Sequence, residues 1–258
     1  MSVVATPNNT DSVTWVVENA TVFRLARPDK LNAISRSVLT ALARCLDDME
    51  RQGSRLLVIT GEGNRAFSAG ADLDELRHAD AYSMTVQAAI ARELFLRLSR
   101  SKVLSIAAIN GVAFGGGLEL AMACTLRIAA PHARVSLPEI KLGLMPAYGG
   151  TQFLPALVGS GRALEMMLTG RVLSAAEAAS AGLISRICLD GEDVLQAALN
   201  LGAEVTGRSA SSIRGIRACV DAYMGRHTGV DFSAEGFAVR EVFRSEQARQ
   251  GVAGFFAK

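Results

Sequence analysis

Short runs of apolar residues recur along the first half of the chain, separated by polar or glycine-containing stretches. Runs of this length that are rich in Val, Ile and Leu predict β-strands. An unbroken run such as Leu56-Leu-Val-Ile-Thr60 predicts a strand that is covered on both faces. The predicted strands are residues 13–17, 20–25, 56–60, 103–109 and 126–130.

Apolar positions spaced three or four residues apart, which is typical of helices, appear between these strands. Ser35 is a favourable N-cap for a helix over residues 36–51, and residues 81–100 carry a second helical pattern. Alternating strands and helices predict parallel strands joined by crossover helices. Beyond about residue 151 helical spacing dominates, and the predicted helices are residues 161–169, 174–181, 191–206, 209–224 and 231–254.

This order of elements predicts an α/β fold in three parts. Residues 1–12 are expected to form a loose N-terminal tail, residues 13–195 an α/β core that holds the site, and residues 196–258 a helical C-terminal oligomerisation region. The last helical pattern is amphipathic, so its apolar face must pack on a partner subunit or back on the same chain.

Composition narrows the function classes. The 258 residues, half of them hydrophobic, suffice for one large domain or a core with a small appendage. The formal net charge is only +2, which disfavours a nucleic-acid-coating surface. Apolar runs stay shorter than the roughly 20 residues of a membrane helix, and residues 1–10 lack the features of a secretory signal. A cytoplasmic location is therefore expected.

Cysteine and histidine are scattered along the chain. The four cysteines form no C-x-x-C pair, which indicates small buried side chains in a reducing compartment rather than a metal or redox site. The histidines are equally dispersed, so neither a metal centre nor a histidine-based triad is expected. The residues concerned are Cys45, Cys124, Cys188, Cys219, His78, His132 and His227.

Two glycine-containing segments predict exposed backbone N–H groups. In Phe67-Ser-Ala-Gly-Ala-Asp-Leu73 small residues surround Gly70, which favours a tight turn that either starts a helix or points N–H groups into a pocket. Gly115-Gly116-Gly117 precedes a helix-like apolar run. That segment could cradle a phosphate, although the Lys-Ser/Thr of a P-loop is missing, or it could direct an amide at a thioester oxygen. Two such amides would form an oxyanion hole.

Glu119 and Glu139 are the candidate proton-transfer groups. Glu119 follows the glycine run among apolar neighbours that would raise its pKa, although a glutamate here could also simply stabilise a helix start. Glu139 follows Pro138, and it too could begin a helix. Two carboxyl groups in one apolar pocket suit the addition or removal of water across a carbon–carbon double bond, because one takes a proton while the other gives one.

Taken together, the motifs resemble those of the crotonase superfamily, and enoyl-CoA hydratases most closely, over nearly all of residues 13–258. The segments that carry the resemblance are Ala26-Arg-Pro-Asp-Lys-Leu-Asn-Ala33, Phe67-Ser-Ala-Gly-Ala-Asp-Leu73, Asn110-Gly-x3-Gly-Gly-Gly-Leu-Glu119, Pro138-Glu-Ile-Lys-Leu-Gly-Leu-Met-Pro-x2-Gly-Gly-Thr-Gln152 and Gly170-Arg-x-Leu-Ser-Ala-x-Glu-Ala178. The resemblance implies a spiral of ββα units, a trimer or hexamer, and addition of water to a 2-enoyl-CoA thioester. It implies no cofactor, since coenzyme A is part of the substrate.

The same resemblance assigns roles to residues. Ala71 and Gly116 match the oxyanion-hole amides, Glu119 matches the carboxylate that activates water, and Glu139 matches the acid that protonates the carbon next to the thioester. Phe255 and Lys258 match residues that reach a neighbouring subunit's ligand. The positions expected to contact the substrate or its coenzyme A are Lys30, Leu31, Ala69, Ala71, Asp72, Leu73, Gly116, Phe255 and Lys258.

Some positions depart from the family pattern. Asp29 and Asp74 stand where relatives often carry lysine near the nucleotide. Ala147-Tyr148 occupies a loop that is often smaller, and Tyr148 is expected to narrow the acyl pocket. Phe153 and Ala156 replace arginines that are common in the family, and this replacement is expected to alter the packing of the trimer. The alternatives are therefore another acyl-CoA enzyme on the same scaffold (an isomerase, decarboxylase or thioesterase) or an RNA-binding relative, which the near-neutral charge disfavours.

Overall fold

The computed structural model describes residues 6–9, 11–77, 79–228 and 232–256. The strands are β1 Thr6–Asn9, β2 Ser12–Val17, β3 Ala20–Leu25, β4 Leu56–Gly61, β5 Ala66–Ser68, β6 Leu104–Ile109, β7 Val112–Phe114, β8 Leu126–Ala129, β9 Arg134–Ser136, β10 Leu173–Ser174 and β11 Arg186–Ile187. The helices are α1 Arg36–Gln52, α2 Leu73–Arg77, α3 Ala81–Arg100, α4 Gly116–Ala123, α5 Gly150–Val158, α6 Ser160–Thr169, α7 Ala175–Ser180, α8 Val194–Thr206, α9 Ala210–Thr228, α10 Phe232–Arg244 and α11 Glu246–Phe256. Short 3₁₀ helices cover Pro28–Lys30 and Glu139–Leu142.

The strands form two sheets. The larger sheet has the order β1-β2-β3-β4-β6-β8-β11, antiparallel as far as β3 and parallel from β3 onward. The smaller sheet has the order β10-β9-β7-β5, in which β5, β7 and β9 run parallel. Each repeat of the chain adds a strand to the larger sheet, then one to the smaller sheet, then usually a helix. The predicted α/β spiral of ββα units is therefore confirmed.

Side chains of Asn residues hold the two sheets together beside the site. Asn110, at the end of β6, donates to the carbonyls of Gly61 (3.0 Å) and Ala66 (3.1 Å) and accepts from the N–H of Gly61. Asn32 donates to the same Ala66 carbonyl at 2.7 Å. These bonds satisfy buried backbone groups where the chain leaves the larger sheet for the smaller one, and so they set the start of β5.

The predicted helices 36–51 and 81–100 are confirmed as α1 and α3, and their caps explain the boundaries. Ser35 accepts a hydrogen bond from the N–H of Val38 at 3.3 Å, and Asp80 caps α3 by accepting from the N–H of Ser83 at 2.7 Å. Each cap satisfies an N–H group that has no acceptor inside its own helix.

The N-terminal tail departs from the prediction. Residues 6–9 form β1, which pairs antiparallel with β2, and Thr6 lies opposite Thr14. The segment Thr-Pro-Asn-Asn has no strand-like pattern of its own. It is recruited because the edge of β2 offers backbone groups that need partners.

The C-terminal region also departs from the prediction. A boundary at residue 195 would cut α8, which packs against β4 and β6 of the core. The single helix predicted over residues 231–254 is two helices, because Ser245 interrupts it and accepts a hydrogen bond from the N–H of Ala248 at 3.1 Å. Helix α10 packs on α3, and α11 packs on the 3₁₀ helix Glu139–Leu142, so these helices cover their own chain.

Within the described part of the chain, no helix combines the length and apolar character that crossing a membrane requires.

Candidate active site

A cavity of about 480 Å³ collects almost all of the residues that the sequence singled out. Its walls come from the 3₁₀ helix Pro28–Lys30, the turn before α2, helix α3, the start of α4, residues 138–148 and the end of α11. The predicted site residues that line it are Lys30, Leu31, Ala69, Ala71, Asp72, Leu73, Gly116, Glu119, Glu139 and Phe255. Lys258 lies outside the described residues.

The predicted oxyanion-hole amides are neighbours. Ala71 forms a parallel bridge with Ile34 that uses the carbonyl of Gly70 and the N–H of Asp72, so the N–H of Ala71 is not consumed by it. Gly116 is the first residue of α4, and its N–H has no acceptor inside that helix. A Cβ built on Gly116 would lie 3.4 Å from the nitrogen of Ala71. Both amides therefore bound the same small volume.

Close backbone approach explains the glycines at this point. Gly70 has φ +105°, and a Cβ there would lie 2.9 Å from the carbonyl oxygen of Phe114. A Cβ on Gly117 would come within 2.3 Å of the carbonyl oxygen of Ser68. Side chains at these positions would push the two amide-bearing segments apart.

Glu119 is a buried carboxylate held by backbone donors. Its side chain is only 1 % exposed, and Oε1 accepts hydrogen bonds from the N–H of Tyr148 at 2.8 Å and of Gly150 at 2.7 Å. Burial raises the pKa of Glu119, the charges of Glu139 and Glu235 raise it further, and the two N–H donors oppose this. These two donors stabilise the charged form of Glu119, so its pKa is lower than it would be for the same buried carboxyl without them.

Glu139 faces the same cavity with different support. Its Oε1 lies 3.0 Å from the place a Cβ on Gly115 would occupy, and its Oε2 is buried with no hydrogen-bond donor from the described residues. Burial raises the pKa of Glu139 to about 7. Two N–H donors thus stabilise the charged form of Glu119, whereas Oε2 of Glu139 has no such donor among the described residues.

Tyr148 forms part of the apolar wall. It is buried, it packs edge-on against Phe95 with ring centroids 5.8 Å apart, and two of its ring carbons lie 2.9 Å from the Cβ position of Gly116. The ring therefore occupies space next to an oxyanion-hole amide, which agrees with the expected narrowing of the pocket.

Two pairs of oppositely charged side chains, Arg27 with Asp72 and Lys30 with Asp74, lie beside the cavity. The Asp72 carboxylate is paired with the guanidinium of Arg27 at 2.6 Å and accepts from the N–H of Asp74 at 2.9 Å, so it holds the turn that carries Ala71. Lys30 pairs with Asp74 at 2.6 Å, and both side chains are substantially exposed. Asp74 thus neutralises the lysine predicted to contact coenzyme A.

Phe255, near the end of α11, lines the cavity of its own chain. The contact with a neighbouring subunit's ligand that the resemblance implies stays a prediction. Helix α11 lies close to the 3₁₀ helix Glu139–Leu142, since a Cβ on Gly251 would lie 2.0 Å from the carbonyl oxygen of Leu142. Glycine allows α11 to lie directly on the segment that carries Glu139.

Glu235 is a residue that sequence reasoning missed. It lies on α10, it is 2 % exposed, and its charge acts on both Glu119 and Glu139. In the sequence it is one polar residue of an amphipathic helix, and no local signal separates it from the exposed Glu241 of that helix.

Paired N–H groups beside a buried pair of carboxyls define a class of site. It suits a carbonyl compound that gains negative charge on oxygen while protons move at neighbouring atoms. No group of three or more metal-binding side chains occurs among the described residues.

Comparison with known proteins identifies the family. The family model described as "Enoyl-CoA hydratase/isomerase" matches residues 17–258. The chain is 38% identical over 231 residues to a probable enoyl-CoA hydratase of Bacillus subtilis, with 88% of each chain covered. It is 32% identical to a crotonyl-CoA hydratase of Syntrophomonas wolfei, with 93% of each covered.

The fold agrees with that assignment. The crystal structure of an enoyl-CoA hydratase/isomerase from Mycobacterium paratuberculosis superposes with a TM-score of 0.87 at 26% identity, covering 95% of this chain and 98% of that one. The chain belongs to the enoyl-CoA hydratase/isomerase family, within the crotonase superfamily.

Proposed function

We propose that the protein is an enoyl-CoA hydratase, a hydro-lyase that adds water across the C2=C3 double bond of a 2-enoyl-CoA thioester. The observation that carries the proposal is the convergence of Glu119 and Glu139 on the cavity that the N–H groups of Ala71 and Gly116 border. The names of the relatives from Bacillus subtilis and Syntrophomonas wolfei support the same reaction.

We assign each step of the proposed reaction to one group of the cavity. The thioester oxygen accepts hydrogen bonds from the N–H groups of Ala71 and Gly116, which polarises the double bond. Losing one such donor typically costs about 3–4 kcal/mol of transition-state stabilisation. Glu119 takes a proton from water as the water oxygen bonds to C3, and the electron pair of the double bond moves into an enolate. Glu139 then gives its proton to C2, which completes the 3-hydroxyacyl thioester.

Both acids are buried, and this suits their roles. Burial raises the pKa of each carboxyl, so Glu119 is a stronger base than an exposed carboxylate, and Glu139, with a pKa of about 7, is partly protonated near neutral pH. All the proton transfers use protein groups, so we propose that no metal or redox cofactor is needed. Turnover that is unchanged after exhaustive dialysis against a chelator would support this point.

The contacts to coenzyme A are proposed at Lys30, Leu31 and Ala69. All three residues line the cavity, and the N–H of Ala69 donates to the carbonyl of Leu31 at 2.9 Å. This bond joins the 3₁₀ helix Pro28–Lys30 to the turn before α2, so residues distant in sequence present one continuous edge to the ligand.

The test compares Glu119→Gln and Glu139→Gln with the wild type. Each substitution keeps the size of the side chain and removes its proton exchange, so hydration of crotonyl-CoA is expected to fall at least 100-fold. Binding of coenzyme A, measured by calorimetry, is expected to change little. Glu204→Gln, on the exposed face of α8, is a matched control that should keep full turnover. Undiminished turnover in either active-site variant would refute the assignment.

A product panel separates hydration from the other reactions of this scaffold. Purified protein is incubated with 2-enoyl, 3-enoyl, malonyl and saturated acyl-CoA thioesters, and the products are identified by mass spectrometry. A hydratase adds the mass of water to the 2-enoyl substrate. A shifted double bond, lost CO₂ or free coenzyme A would instead indicate an isomerase, a decarboxylase or a thioesterase.

We also propose a homotrimer or a hexamer in the cytoplasm, as in the family that the sequence resembles. Light scattering after size exclusion tests the assembly, and cell fractionation tests the location.

A further inference from the structure

Glu235 is a buried acid that does not line the substrate cavity. Helix α10 places it against α3 and α5, and only 2 % of its surface is exposed. The residues bordering the cavity include Glu119 and Glu139 but not Glu235. A buried carboxyl lowers the stability of the fold unless hydrogen bonds or opposite charges compensate for its lost hydration. The contacts of Glu235 therefore indicate its role.

Those contacts lead to the first turn of α5. Oε2 of Glu235 accepts a hydrogen bond from the N–H of Thr151 at 3.1 Å and a second from the Thr151 hydroxyl. The preceding residue, Gly150, donates its N–H to Glu119 at 2.7 Å, and Tyr148 donates at 2.8 Å. The consecutive N–H groups of Gly150 and Thr151 therefore donate to two different carboxylates, those of Glu119 and Glu235.

The other oxygen of Glu235 has incomplete support. Oε1 is buried without a hydrogen bond from the described residues, and Nη1 of Arg92 stands 4.0 Å away. Arg92 is packed closely, since a Cβ on Gly236 would lie 3.0 Å from its Nη2. Local hydrogen bonding alone does not explain a glutamate here, because one oxygen is left without a donor.

We propose that Glu235 is a positioning residue for the reaction: it anchors the first turn of α5, so that the N–H groups of Tyr148 and Gly150 stay directed at the carboxylate of Glu119. The inference rests on the proposed hydratase function. Glu235 acts through Glu119 and does not touch the substrate.

The charge of Glu235 adds a second effect. Among the described residues, the charged and titratable groups that interact with it are Arg92 on α3, Glu119 on α4 and Glu139 on the 3₁₀ helix. Its negative charge raises the pKa of both Glu119 and Glu139. Removing that charge therefore makes deprotonation of the pair easier.

Variants of Glu235 separate anchoring from charge. Glu235→Gln keeps an acceptor for the N–H of Thr151 and removes the charge, whereas Glu235→Ala removes both. Glu241→Gln is a matched control on the exposed side of the same helix. Turnover of crotonyl-CoA is measured across pH, and infrared difference titration follows the buried carboxyls, with Glu119→Gln and Glu139→Gln assigning the bands.

For Glu235→Ala we expect kcat to fall about 10-fold to 100-fold while KM changes less than about threefold, because the base is misplaced but the cavity is intact. Glu235→Gln should lose less kcat. In Glu235→Gln the acid limb of the pH profile and the infrared midpoints should move to lower pH, because the charge is lost while the anchor is kept. In Glu235→Ala the midpoint of Glu119 should lie above that in Glu235→Gln, because Glu119 also loses its N–H donors. Glu241→Gln should match the wild type.

The result that overturns the proposal is kcat within twofold of wild type in Glu235→Ala together with a Glu119 midpoint no higher than that in Glu235→Gln. A rise in KM at constant kcat would also overturn it, since that pattern indicates a packing role. The infrared arm does not depend on turnover. If the wild type hydrates no enoyl-CoA, the proposed function fails, while a Glu119 midpoint that is higher in Glu235→Ala than in Glu235→Gln would still support the positioning of Glu119.

Discussion

Replacing Glu139 with Gln should make the protein more stable at alkaline pH while removing its turnover. The pKa of Glu139 is about 7, raised from an ordinary 4.5 by burial. A raised pKa means that the folded state binds the proton more tightly than the unfolded chain does. The contribution of this proton binding at Glu139 to the free energy of unfolding is therefore fully present below about pH 4.5. It is lost as the pH rises through about 7.

The size of the effect follows from this difference in pKa. At about 1.4 kcal/mol per pKa unit, the wild type should lose about 3 kcal/mol of unfolding free energy at this residue between pH 4.5 and pH 8. Glu139→Gln has no proton to lose at this position. Its unfolding free energy, relative to wild type, should therefore rise by up to about 3 kcal/mol over the same interval.

Urea unfolding at a series of pH values measures the difference, with both proteins at equal concentration. The free-energy curves of wild type and Glu139→Gln should diverge between pH 5 and pH 8, whereas Glu204→Gln should run parallel to wild type. Parallel curves for Glu139→Gln would refute the reasoning, because they would mean that Glu139 titrates alike in the folded and unfolded states.

Two further predictions concern the substrate. Tyr148→Ala removes the ring that lies beside Gly116. The value of kcat/KM for decenoyl-CoA, divided by the value for crotonyl-CoA, should therefore rise about 10-fold. An unchanged ratio would show that the ring does not limit the size of the acyl pocket. Asp74→Lys breaks the 2.6 Å pair with Lys30 and places positive charge at the cavity mouth. KM for crotonyl-CoA should therefore fall severalfold at low salt and return toward the wild-type value at high salt, because salt screens exposed charges. Asp29→Asn tests whether removal of a negative charge is enough to lower KM.

The amino-acid sequence by itself determined the elements and the candidate chemistry. Unbroken apolar runs identified β4 and β6, the Ser35 cap and apolar spacing identified α1, and the glycine segments around Gly70 and Gly116 indicated exposed amides. These signals are local: an N-cap, a turn glycine or a buried strand leaves its mark within a few residues. The same local motifs carried the family resemblance, which the comparisons confirmed.

Tertiary structure decided which residues meet. Glu235 follows Glu119 by more than a hundred residues, and its contact with Thr151 depends on how α10 settles on α3 and α5, which no local pattern encodes. The course of α11 over its own cavity was likewise invisible, because an amphipathic helix can bury its apolar face on its own chain or on a partner. Burial decided the electrostatics as well, since the pKa of Glu139 depends on the atoms packed around it rather than on its neighbours in sequence.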